Sequence, residues 1–188
     1  MSQSRIQTSN MSESTVGGAT LSRKFISAFR YHPAGVAVVT ADAGDGPVGL
    51  TATSVSSVSA EPPMLVFSAS GQSSSTPTIL ASETLVVHLL DEHDIGIAQL
   101  CATSGVDRFH DTSVWDRLPT GEPRFHAASS WMRAKVVNTL SAADSHIILI
   151  EVLECGGQNT ESSAAGSARP LVYHARTWHA LGENSRIA

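Results

Sequence analysis

Short runs of β-branched and apolar residues recur along this 188-residue chain, each ended by Gly, Pro, Asp or Ser. GVAVVT (35 to 40) reads as a strand buried on both faces, because apolar residues fill it without alternation. The turn-rich ADAGDGP and the β-branched GLTATSVSSVS (49 to 59) follow, so a hairpin is the simplest reading. Glu61, Pro62 and Pro63 interrupt it before MLVFS (64 to 68). Further strands are expected at Leu85 to Leu90, 131 to 138, 146 to 154 and 170 to 174. That makes about seven short strands without strand–helix alternation, so a parallel α/β sheet is excluded and an antiparallel barrel expected.

Helices are few. Leu21, Phe25 and Phe29 recur every fourth residue with Ser22, Arg23, Lys24 and Arg30 elsewhere, the pattern of an amphipathic helix that Pro33 closes. Ile95 to Cys101 reads as a second, short helix. Residues 1–20 are too polar to bury and are expected to be a disordered tail, leaving 21–188 as one domain. The segment 155 to 170 reads as an inter-strand loop, since only one more strand follows it.

Charge and cysteine content narrow the function classes. The net charge of -5 gives no footprint for a nucleic-acid backbone. Cys101 and Cys155 are too far apart for a metal or redox motif, so a reducing, cytoplasmic setting is expected. No apolar run is long enough for a membrane span, and no membrane association is expected. The eight histidines fall into no metal-ligand spacing, and no metal site is expected. GDGPVG (44 to 49) has the spacing of a dinucleotide loop but leads into a strand rather than a helix, so it reads as a hairpin turn. The spacing G-x-S-x-G of a serine hydrolase elbow does not occur.

What remains is a concentration of small hydroxyl residues: Thr51, Thr53, Ser54, Ser56 and Ser57, then Ser68, Ser70, Ser73, Ser74, Ser75 and Thr76. Such side chains donate hydrogen bonds while letting a ligand approach the backbone, which suits a phosphate or a polar ring edge. Ordinary loop and edge-strand polarity accounts for the same composition.

Six segments in order resemble the flavin reductase family, the small reductase components of two-component flavin-dependent monooxygenases. They are FRYHPAGVAVVTA (29 to 41), GLTATSVSSVSAEPP (49 to 63), the Ser-rich loop, VDRF (106 to 109), DSHIILIEV (144 to 152) and PLVYHARTWHAL (170 to 181). The resemblance implies a mainly β protein with short helices, an antiparallel split β-barrel of the FMN-binding type. Residue by residue, it implies that Pro33 lines the flavin ring and that Thr51, Ala52, Thr53 and Ser54 meet the isoalloxazine edge and ribityl chain. It puts Ser68, Ser70, Ser73, Ser74, Ser75 and Thr76 around the flavin phosphate, with Arg108 and Phe109 as the family's basic-residue-plus-Phe element. His146 matches a histidine near the nicotinamide, although the family commonly shows Gly-Asp-His where this chain has Asp144, Ser145 and His146.

The implied activity is reduction of FMN or FAD by NADH or NADPH, with reduced flavin diffusing to a partner monooxygenase and the reductase acting as a homodimer. Such chemistry needs aligned stacking more than an acid–base triad. The competing expectation is a flavin-binding or flavin-storage protein on the same barrel.

Overall fold

The computed structural model describes residues 9–128, 130–157 and 169–187. Helix α1 spans Ser9–Arg30. It begins earlier than the tail reading of residues 1–20 allowed: Ser9 to Thr20 continue the helix, while residues 1–8 lie outside the described ones. Once a turn is nucleated, each added residue costs little, so a polar sequence can extend a helix whose periodic part lies downstream. The periodicity of Leu21, Phe25 and Phe29 is realised, yet that stripe faces outward, with Leu21 70% and Phe25 60% exposed.

The strands are β1 (Ala34–Gly35), β2 (Ala37–Ala41), β3 (Val48–Ala52), β4 (Ser56–Ala60), β5 (Pro63–Ser70), β6 (Thr84–Leu89), β7 (Trp115–Arg117), β8 (Pro123–Phe125), β9 (Ser130–Ala142), β10 (Ser145–Gly156), β11 (Leu171–His174) and β12 (Thr177–Ala180). Two further helices, α2 (Thr76–Ala81) and α3 (Ile95–Ala102), connect them. A seven-stranded antiparallel sheet runs β3-β2-β6-β9-β10-β5-β4, and β1-β11-β12 and β7-β8 form smaller sheets.

The strand order explains the closure. Strands β3 and β4 are the two edges of the large sheet, yet only residues 53 to 55 separate them along the chain. That link spans at most roughly 14 Å, so the sheet must curl until its edges meet. At the meeting point Ser54 Oγ accepts from Ser68 N at 2.9 Å and donates to Ser68 O at 3.1 Å, continuing the β5 edge where β4 has ended. The run read as one strand, GLTATSVSSVS, is therefore two strands with the closure between them.

Two layers of core result. Ala37, Val39 and Ala41 of β2 point inward with Leu65, Phe67, Leu85, Val87, Ile148 and Ile150. Val38, one residue out of phase, joins Val36, Phe109, Phe125 and Leu171 on the other side. Strand β2 is thus buried throughout, as its unbroken apolar run requires.

The GDGPVG segment is the β2–β3 hairpin turn, with the N–H groups of Gly44 and Gly46 donating to Asp42 Oδ1 at 2.8 and 3.1 Å. Gly44 and Gly46 hold φ of 109° and 112°, which a side chain would resist. Among the α-helices and strands, α2, β12 and the pair β7 and β8 escape the sequence reading, the pair lying in a stretch read as irregular; so do the 3-10 turns Glu92–Asp94 and Glu183–Ser185. The loop expected at 155 to 170 lies mostly outside the described residues.

Candidate active site

A cleft of about 340 Å³ opens beside β3, between the Ser-rich loop, the end of α3 and the β11–β12 hairpin. Its floor is Leu50, Thr51 and Thr53. The Thr51 hydroxyl donates to Ala98 O of α3 at 2.7 Å, so it orients the helix and keeps its lone pairs for a donor. Ser73 and Ser74 form one rim; Ala102, Ser104 and Arg108 form another; Tyr173 and Trp178 make an aromatic wall, their rings 4.7 Å apart.

The polar groups divide by where their hydrogen bonds go. Ser75 Oγ donates to Gly49 O at 2.8 Å and Thr76 Oγ1 to Ser70 O at 2.7 Å, both buried. Together with Ser54 they hold the loop and the barrel edge rather than face the cleft. Ser70 Oγ accepts from Gln72 N at 3.2 Å, and Ser68 is engaged through its backbone; neither residue lines the cleft. Ala52 is buried. Ser73 and Ser74 are the members of the loop that reach the cavity.

Arg108 is the site's cation. One Nη2 bond of 2.7 Å to Thr103 O caps the end of α3, while its Nε is buried without a hydrogen-bond partner. The ion pair expected of a surface arginine, to Asp107 or Asp111, is not formed: Asp107 Oδ1 accepts from Phe109 N and Asp111 Oδ1 from Ser113. Arg108 lines the open cleft, and the forked donors of a guanidinium match an oxyanion. The donor set of Arg108, Ser73 and Ser74 fits a phosphate monoester.

Phe109 lies beneath the site, not in it. Its ring stacks on Phe125 at 5.3 Å and meets Trp115 edge-on at 5.0 Å, and Trp115 Nε1 donates to Phe109 O at 3.0 Å. Behind Phe125, the fully buried His88 accepts from Phe125 N at Nε2 (3.2 Å) and donates from Nδ1 to Val38 O (3.1 Å). Burial pushes its pKa down to about 4, so the ring is neutral with a fixed tautomer. Cys101, also against the cleft, has its thiol pushed up to about 12 by burial and is not a nucleophile.

A second cleft of about 260 Å³ adjoins the first, sharing Thr53 and Tyr173. His32 and Ala34 line it, flanking the exposed Pro33. His146 lies outside the lining of both clefts. It occupies the start of β10 opposite Ala69 and Ser141, with Nδ1 3.5 Å from Ser141 Oγ. The bond from Gly71 N to Asp144 O, 2.7 Å, fastens the Ser-rich loop to the turn before it.

Sequence reasoning missed Tyr173 and Trp178. They are direct partners across the β11–β12 hairpin, but its turn residues, Ala175 and Arg176, lack the Asn-Gly signature that would have revealed the pairing.

The family model for the flavin reductase like domain matches residues 29–182. The NADH:FMN oxidoreductase of Rhodococcus erythropolis is 48% identical over 147 residues, covering 78% of this chain and 75% of that protein. The reductase component of a 4-nitrophenol 4-monooxygenase/4-nitrocatechol 2-monooxygenase from Rhodococcus opacus is 29% identical over 74% of this chain and 70% of its own. Among solved structures, a flavin reductase domain protein from Arthrobacter sp. FB24 superposes with a TM-score of 0.78 at 30% identity, covering 85% of this chain and 95% of that one. Two clefts on a closed antiparallel sheet, an oxyanion-ready arginine and these matches agree: the chain belongs to the flavin reductase family.

Proposed function

We propose that this protein is an NADH-dependent flavin reductase that takes FMN as its flavin and delivers it reduced to a flavin-dependent monooxygenase. The observation that carries the reading is the cleft lined by the Arg108 guanidinium, which forms no ion pair among the described residues, together with Ser73 and Ser74, a donor set suited to a phosphate. The choice of NADH and FMN is supported by the name of the Rhodococcus relative, and the monooxygenase partner by the reductase components among the relatives.

Bound flavin supplies the redox chemistry, accepting a hydride from the nicotinamide. The chain's own residues do the rest. Arg108, Ser73 and Ser74 bind the phosphate. Thr51 and Thr53 give the floor hydrogen-bonding capacity against the ring edge, and Pro33 borders the ring's far side. Tyr173 and Trp178 shield one side of the cleft from water. For His146 the family resemblance alone supports a role in orienting the nicotinamide, since it lines neither cleft.

The protein works as a homodimer. The outward residues Leu21 and Phe25, and the exposed cross-strand pair Leu140 and Ile147, support this, because apolar surface exposed on a folded chain marks an interface. A cytoplasmic location is supported by two unpaired cysteines, one exposed, and among the described residues no helix is long and apolar enough to cross a membrane.

NADH oxidation followed with FMN, FAD and no flavin tests the activity. FMN-dependent turnover is expected; tight FMN binding without turnover would leave a flavin-storage protein instead. Arg108→Ala should weaken FMN binding, read by flavin fluorescence, at least about tenfold.

A further inference from the structure

The second cleft differs from the first in charge and in what bounds it. Arg30, the last residue of α1, and Arg176, in the β11–β12 turn, both line it beside His32, and no carboxylate does. Neither guanidinium forms an ion pair among the described residues, whereas Arg117, Arg124, Arg133, Arg169 and Arg186 each do; of the other described arginines without one, Arg108 lines the first cleft and Arg23 lines neither. A cation pair left open on a protein of net charge -5 is a local reversal of its overall field.

The backbone holds this pair at some cost. His174 pairs with Thr177, so Ala175 and Arg176 form a two-residue turn, with φ of 50° and 65°. Both positions favour glycine or asparagine, and side-chain-bearing residues persist there only when the surroundings require them. Here the requirement is visible: Ala175 N donates to Arg30 O at 2.9 Å, which docks the turn on the end of α1 and brings both arginines to one cavity. Phe29 adds an exposed ring, 5.9 Å from that of His32.

We infer that this cleft is the site for the pyrophosphate of the nicotinamide dinucleotide, with Arg30 and Arg176 as its ligands and Phe29 as a face for the adenine. The inference rests on the reductase reading above. If the flavin phosphate sits at Arg108, at the far end of the first cleft, the ring points toward Thr53 and Tyr173, where the two clefts join. A nicotinamide stacked on that ring must lead its pyrophosphate outward, and the second cleft is next along. The AMP half of FAD would leave from the Arg108 end, away from Arg30 and Arg176. The shared anion chemistry is therefore assigned to the dinucleotide reductant and not to the flavin.

The test uses Arg176→Gln, Arg30→Gln and a control, Arg186→Gln, whose guanidinium pairs with Glu183 outside both clefts. ADP-ribose, which carries the pyrophosphate and adenine without nicotinamide, is titrated calorimetrically into the FMN-loaded full chain. Each cleft variant should weaken its binding about tenfold or more, since each removes a charge-assisted bond. The KM for NADH and for NADPH should rise by that same factor, with kcat and the Kd for FMN unchanged. Arg176→Lys should recover part of the loss, and the control should match wild type.

Unchanged ADP-ribose binding in both variants overturns the assignment. So does a loss confined to NADPH, which would mark a 2′-phosphate site, or one that appears only with FAD, which would mark the flavin's AMP. A wild-type protein that binds ADP-ribose through Arg176 yet oxidises no NADH with any flavin would sink the reductase reading and leave the subsite standing.

Discussion

The two layers of core on either side of β2 have different compositions and different duties. The layer inside the curled sheet is aliphatic, with Phe67 its one buried aromatic among Val39, Leu65, Leu85, Val87, Ile148 and Ile150. The layer under the cleft adds aromatic and polar groups to its aliphatic residues: Phe109 and Phe125 stack, Trp115 closes on them, and His88 beside them is hydrogen-bonded at both nitrogens. Aliphatic side chains fill a closed volume without directional demands. Rings and a neutral imidazole impose orientation, and Phe109 passes that orientation to its neighbour in the chain, Arg108. One layer keeps the sheet closed; the other sets where the cleft's cation stands.

Truncation should separate them. Phe67→Ala removes a fully buried ring from the closed layer and should cost about 3–5 kcal/mol in urea unfolding, while the protein that remains folded binds FMN as before. Phe125→Ala should cost a similar amount but also weaken FMN binding, because Phe109 loses its stacking partner and Arg108 its fixed base. Equal FMN affinity in the two variants would break the distinction.

The second expectation concerns acid. His88 is held neutral with a pKa of about 4, against an ordinary 6.5 once unfolded. Between those values the unfolded chain binds the extra proton and the folded one does not, so the contribution of this site is full above pH 6.5 and is lost as pH falls toward 4. The loss amounts to about 3 kcal/mol. His88→Gln can still accept from Phe125 N and donate to Val38 O, and should flatten that limb of the stability–pH curve. A variant that loses stability in parallel with wild type from pH 6.5 to 4 would assign the acid sensitivity elsewhere.

The same division explains what was legible in the sequence. The closed layer announces itself, since GVAVVT, MLVFS and HIILIEVLE are short apolar, β-branched runs bounded by turn residues, and packing then buries them. The cleft does not. Its arginine and serines were placed by resemblance to a family, and composition alone could not separate Ser73 and Ser74, which line the cavity, from Ser75 and Thr76, which are spent on Gly49 O and Ser70 O. Whether a hydroxyl faces a ligand or a carbonyl is decided by the turn into α2, a six-residue helix too short to leave a periodic trace. The aromatic wall was hidden for another reason, because a turn of Ala175 and Arg176 violates the preference by which hairpins are found.

The smallest effects draw the line most finely, within a single residue type. Ser54→Ala removes the hydroxyl that bridges Ser68 N and O at the barrel seam; water can reach that exposed edge and replace part of the loss, so about 1 kcal/mol of stability should go, with FMN affinity unchanged. Ser74→Ala removes a hydroxyl that lines the cleft and has no fold-holding bond among the described residues. Its stability should stay within about 0.5 kcal/mol of wild type, while FMN affinity falls about tenfold, the worth of one hydrogen bond to a charged phosphate. If the two serines exchanged these outcomes, the seam and not the loop would be meeting the flavin. The phosphate would then have to lie across the β3–β5 edge, away from the Arg108 guanidinium that lines the first cleft.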